Sequence, residues 1–160
     1  LNQNPDGVKA VCLSAPVLGI AFPVPWWKKT AANLFSRFLP SLSMDNELED
    51  AQICSDDEVV AKYKEDSLCF HTVTPRLYTE LLATIDSVRQ RGEPWPWPLQ
   101  IHVGRQDGLS SFGDIDDFYA NWSGPKEYQV WPEGRHEVLN EPFKEKVMDL
   151  VLDFFKKYQS

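Results

Sequence analysis

Two stretches decide how this chain folds: Leu99-Gln100-Ile101-His102-Val103-Gly104-Arg105-Gln106-Asp107 and Glu127-Tyr128-Gln129-Val130-Trp131-Pro132-Glu133-Gly134-Arg135-His136. Each begins as a short run of apolar and β-forming residues, predicting strands over residues 99–103 and 127–131, and each passes at once into a glycine-containing loop. Between them Ile115, Phe118, Tyr119 and Trp122 recur at helical spacing. Downstream, Val147, Leu150, Val151, Phe154, Phe155 and Tyr158 fall on one stripe of a last helix. Upstream, the turn signal Asn4-Pro5-Asp6-Gly7 leads into another apolar run, residues 8–13. Short strands alternating with amphipathic helices predict an α/β fold of three parallel strands with flanking helices, joined by right-handed crossovers.

The first crossover is too long for its task. About 85 residues separate Leu13 from Leu99, where a dozen or so suffice. The expected division is therefore a core of residues 1–16 and 96–160, with a helical cap inserted over residues 17–95. Within the insertion, Trp27, Ala31, Leu34, Phe35 and Phe38 mark one face of a helix. Residues 45–66 carry nine acidic and two basic side chains and read as a solvated surface, with Ser55 and Glu58 forming a capping box for a helix ending near Lys64. Thr74 as N-cap, Pro75 at the first helical position and Gly92 beyond the last turn frame another helix, with Tyr78, Leu81, Leu82, Ile85 and Val88 facing inward.

With 42% apolar and 25% charged residues in 160, the composition is that of a globular domain. A net charge of −8, with Lys28, Lys29 and Arg37 as the one cationic cluster, argues against a nucleic-acid partner. Cys12, Cys54 and Cys69 form no paired spacing, and with the histidines they make no zinc pattern, so neither a metal nor another cofactor is expected. No apolar run reaches the roughly 20 residues needed to cross a bilayer, and the start has no basic n-region of a signal peptide. The expectation is a cytoplasmic protein that meets membranes peripherally at most, with Leu1 a cut or truncated end.

Loops that follow parallel strands collect in the crevice at the sheet's carboxyl edge, so Asp107 and His136 are the candidate catalytic residues. A carboxylate there orients an imidazole, and the imidazole takes a proton from a nucleophile and returns it to a leaving group. His71 and His102 read as packed or hydrogen-bonded histidines. Asp114, Asp116 and Asp117 stand at a helix start, where the dipole favours them.

The order strand, Gly-x-x-Asp, helix, strand, Gly-x-His resembles the end of the α/β-hydrolase fold, where the triad runs serine, acid, histidine. Leu13-Ser14-Ala15-Pro16 and His136-Glu137-Val138-Leu139-Asn140-Glu141-Pro142 narrow the resemblance to the monoacylglycerol lipase and lysophospholipase group, close to the S33 serine aminopeptidases. It spans nearly the whole chain. It implies that the strands are the family's sixth, seventh and eighth, that Asp107 is the acid and His136 the base, and that the substrate is a lipid ester. The departure is equally plain: no G-x-S-x-G occurs in the 160 residues. Ser14, Ser110 and Ser111 lie outside any nucleophile elbow.

The expectation is thus a C-terminal portion of a serine hydrolase, inactive alone and partnered by the N-terminal half of the same protein. A non-catalytic interaction protein, or a remnant of the fold, and a different α/β-hydrolase such as an aminopeptidase remain alternatives. Trp26, Trp27, Phe35 and Phe38 either pack the cap onto the core or form an acyl-chain or membrane surface. Asp107 and His136 should approach within roughly 2.6 to 3.2 Å. The outer edge of the first strand, apolar and without a partner in this chain, should make the polypeptide self-associate.

Overall fold

The computed structural model describes residues 7–90 and 95–159. Strands β1 (Val11–Ser14), β4 (Leu99–Gly104) and β5 (Lys126–Trp131) form a parallel sheet in the order β1-β4-β5. Between β1 and β4 come helix α1 (Trp26–Phe38), a two-residue strand β2 (Met44–Asp45), helix α2 (Asp57–Glu65), a two-residue strand β3 (Thr72–Val73) antiparallel to β2, and helix α3 (Pro75–Arg89). Helix α4 (Phe112–Asn121) connects β4 to β5, and α5 (Lys144–Lys157) closes the described chain.

β4 is central, and all six of its residues are buried. Pleating sends Leu99, Ile101 and Val103 to one face, where they meet Ile115 and Trp122 of the α4 region. Each such side chain contributes roughly 1.5–3 kcal/mol by leaving water. The opposite face carries Gln100 and His102, also buried. There His102 Nε2 meets Gln100 Oε1 at 2.9 Å, and Nδ1 accepts the Trp131 indole N–H at 3.2 Å. Burial pushes the His102 pKa below its ordinary value, against the opposing pull of Glu127.

β1 begins three residues later than its apolar pattern predicts. With Val11 opposite Leu99, residues 8 and 10 would lie opposite Pro96 and Pro98, which have no N–H for a ladder. The last ladder bond runs from Val11 N–H to the Pro98 carbonyl at 2.8 Å. Residues 4–6 of the expected turn lie outside the described residues, as does Gly92.

The helix caps differ as well. Thr74 caps α3 as expected, accepting the Leu77 N–H. The cap of α2 is Asp56, which accepts from the Glu58 and Val59 N–H groups. Ser55 is not available, because its hydroxyl and N–H both donate to Glu141. Leu81, Leu150 and Phe155, expected to face inward, are exposed at 38–40%. The buried stripes are carried by Pro75 and Ile85 in α3 and by Val147 and Phe154 in α5. Among the described residues no helix is long and apolar enough to cross a membrane.

Candidate active site

Both loops that leave the carboxyl ends of β4 and β5 begin by touching each other. A Cβ on Gly104 would stand 2.0 Å from the Arg135 carbonyl oxygen and 2.3 Å from that of Gly134, so only glycine admits this approach. Backbone bonds then lace the loops together: Arg105 N–H to the Trp131 carbonyl at 2.8 Å, and Gln106 N–H to the Gly134 carbonyl at 2.9 Å. The glycines of Gly-x-x-Asp and Gly-x-His thus set the distance between the residues that follow them.

That distance is a hydrogen bond. His136 Nδ1 lies 3.0 Å from Asp107 Oδ2, with the carboxylate side chain 2% exposed and the imidazole 20% exposed. Asp107 Oδ1 accepts the N–H groups of Leu109 at 2.8 Å and Ser110 at 3.1 Å. Burial alone pushes the Asp107 carboxyl up, but the hydrogen bonds from His136, Leu109 and Ser110 outweigh it and hold the group below the usual carboxylate range. An ionised carboxylate on Nδ1 requires the proton on that nitrogen, which leaves the Nε2 lone pair free to act as a base. Nε2 has no hydrogen-bond partner among the described residues.

The serines near the pair do not reach Nε2. The Ser110 hydroxyl lies 3.4 Å from Nδ1, the nitrogen already held by Asp107, and 3.4 Å from the Ala15 carbonyl. Ser111 caps α4, accepting the Asp114 N–H. Ser14 ends β1, exposed. Of the competing acids, Asp114 pairs with Arg89 at 2.9 Å. His71 lies 3.4 Å from Asp50 and edge-on to Tyr63. No group of side chains among the described residues has the arrangement of a metal site.

Ser110 as a backbone donor to Asp107, and Glu141 beneath the histidine loop, carry functions their sequence positions do not announce. Glu141 stands in a motif, but no local pattern marks a carboxylate whose partner is 86 residues away.

α1 presents its aromatic face outward. Its contact with α3 is made by small side chains, with Ala32 and Ser36 buried and the Ser36 hydroxyl 2.9 Å from that of Thr79. Trp26, Trp27 and Phe38 are 79%, 55% and 67% exposed, and Phe35 is half-buried. Trp26, Trp27 and Phe38 therefore do not pack the helix onto the described core. Lys28, one of the basic residues beside them, is paired with Glu47 at 2.7 Å.

The sequence model of the serine aminopeptidase S33 family matches residues 1–143. The phospholipase YtpA of Bacillus subtilis is 30% identical over 158 residues, which cover 98% of this chain and 61% of that protein. The crystal structure of a monoacylglycerol lipase from Paleococcus ferrophilus superposes with a TM-score of 0.89 at 19% identity, over 98% of this chain and 62% of that one. A soluble variant of monoglyceride lipase from Saccharomyces cerevisiae, solved with a substrate analog, gives 0.78 at 17% identity, over 94% and 56%. The chain spans about three fifths of the length of these relatives. Its strand order, its loop pair and its match over residues 1–143 agree: the chain belongs to the serine aminopeptidase S33 family and has the α/β-hydrolase fold.

Proposed function

We propose that this chain supplies the general base and its orienting acid for a serine hydrolase that cleaves carboxylic esters of lipids, monoacylglycerols or lysophospholipids. The observation that carries the reading is the Asp107–His136 bond at 3.0 Å through Nδ1, with Nε2 unpartnered. In the reaction, Nε2 takes the proton of a serine hydroxyl as its oxygen attacks the ester carbonyl. The imidazolium, stabilised by Asp107, then gives that proton to the departing alcohol. Water, deprotonated by the same nitrogen, cleaves the acyl-enzyme and frees the serine. Residues 17–95 act as the cap, and the exposed aromatics of α1 are its lipid-facing surface.

The serine itself is proposed to come from a segment N-terminal to Leu1 in the whole protein, seated against β1. Support comes from the absence of G-x-S-x-G in the sequence and from a β1 that pairs only with β4 among the described strands. A fluorophosphonate probe should leave the 160-residue chain unlabelled, and sedimentation should show it self-associated. Adding the N-terminal segment should replace self-association by a one-to-one complex and bring labelling and hydrolysis of a short acylglycerol together. A serine labelled in the 160-residue chain alone would overturn this assignment. A one-to-one complex without hydrolysis would favour a non-catalytic role, and cleavage of a peptide but not an ester would favour an aminopeptidase.

A further inference from the structure

Glu141 is a completely buried carboxylate that the acid–base chemistry above does not use. Burying a carboxylate is costly unless hydrogen bonds replace its water, and here the donors are divided between two distant parts of the chain. Oε1 accepts the N–H of Arg135, the residue before His136, at 2.7 Å. Oε2 accepts the Ser55 N–H at 3.1 Å together with the Ser55 hydroxyl.

Around this carboxylate the two segments are sewn along their backbones. His136 N–H reaches the Gln52 carbonyl at 3.4 Å, and Glu137 N–H the Ile53 carbonyl at 2.8 Å. The Arg135 guanidinium donates through one nitrogen to the carbonyls of Ala51 at 2.5 Å and Cys54 at 2.9 Å. Cys54 in turn donates to the Asn140 carbonyl at 3.0 Å. All of these partners lie either at residues 51–55, between β1 and β4, or at residues 135–141.

We propose that Glu141 is a positioning residue for His136. It clamps the histidine loop to residues 51–55, so that the imidazole is aimed at Asp107 only while that segment is seated. This rests on the reading of His136 as the base. Two consequences separate it from a simple staple. A staple protects folding but leaves each folded site at full speed, whereas misplacing a reacting group by about 1 Å lowers turnover on the order of 10²-fold. A clamp also links the insertion to the base, so loosening residues 51–55 slows chemistry without touching the substrate.

The test uses the whole protein with its nucleophile, titrated with fluorophosphonate so that only folded sites are counted. Glu141→Gln keeps the volume but sets an amide NH2 against an N–H of Arg135 or Ser55. It should lower kcat per titrated site on a short soluble ester by about 10²-fold, leave KM within about twofold, and move the acidic limb of the kcat/KM profile. Ser55→Ala, which keeps the carboxylate and loses one donor, should lower kcat in the same direction by at most about tenfold. It serves as the deciding variant if Glu141→Gln does not fold. A fall in thermal stability with kcat per site unchanged in both variants would overturn the proposal.

If the wild-type protein hydrolyses no ester at all, the parent reading fails, and the clamp is judged by proton NMR instead. The downfield Nδ1–H resonance of His136 should be lost or shifted in Glu141→Gln well below the unfolding temperature. An unchanged resonance would overturn the clamp whatever the activity.

Discussion

The loops after β4 and β5 and the outer face of α1 both carry clear sequence patterns, yet the structure treats them oppositely. At the loops both carboxylate oxygens of Asp107 and Nδ1 of His136 are bonded, and Asp107 is 2% exposed. On α1, Trp26 and Phe38 stand 79% and 67% in the open, while the helix docks through Ala32 and Ser36. The difference lies in what each pattern encodes. A glycine before a loop encodes a close backbone approach, which has one geometric answer. A row of apolar residues encodes only that a face exists, and small residues make the closer helix contact.

The comparison breaks first at Asp107. Asp107→Asn keeps the shape of the loop but hands His136 the wrong tautomer, so in the whole protein kcat should fall by about 10⁴-fold with folding intact. Turnover within tenfold of wild type would remove Asp107 from its proposed role. Gly104→Ala attacks the backbone approach itself, because the added carbon meets two carbonyl oxygens at 2.0 and 2.3 Å. It should cost about 3 kcal/mol in denaturant unfolding, and a near-neutral result would mean that the loops tolerate separation.

Much of this region is legible in the amino-acid sequence. β4 and β5 fall within one residue of their predicted bounds, because in each an apolar residue recurs at every second position and a glycine-containing loop follows at once. Asp107 and His136 are legible as a pair through their order and their glycines. What local sequence does not show are the effects of distant partners. β1 starts late because Pro96 and Pro98 stand opposite residues 8 and 10, and the cap of α2 moves to Asp56 because Glu141, 86 residues on, takes Ser55. Leu81, Leu150 and Phe155 fit their helical stripes yet remain exposed, since periodicity defines a stripe but not its covered width.

Acid should expose the buried polar face of β4. His102 is held neutral by burial, which outweighs the opposing pull of Glu127, so its folded pKa lies below 6.5. The unfolded chain therefore takes up a proton near pH 6.5 that the folded chain refuses, and stability falls as pH drops below that value. Asp107, lowered from 3.8, contributes stability that is full above about pH 4 and is lost as pH falls through its folded pKa. Melting temperature against pH should show both declines, and His102→Gln should lose only the upper one. A variant with the same upper slope would place that proton elsewhere.

The smallest expected effect lies on α1. Trp27→Ala removes a side chain that is 55% exposed, so it should change stability by no more than about 0.5 kcal/mol. If the aromatic face meets lipid, the same change should weaken hydrolysis of vesicle-bound long-chain ester while sparing a short soluble one. Equal losses on both substrates would assign Trp27 to shaping the site rather than to contact with lipid.

The most direct test of the central claim, that Nε2 of His136 activates a serine, is the rate of fluorophosphonate labelling of the whole protein at neutral pH, with and without His136→Ala. Wild type should label rapidly at a serine outside residues 1–160, and His136→Ala should slow labelling by several orders of magnitude, up to about 10⁶-fold, while the protein remains folded at the assay temperature. Labelling of His136→Ala at the wild-type rate would contradict the account.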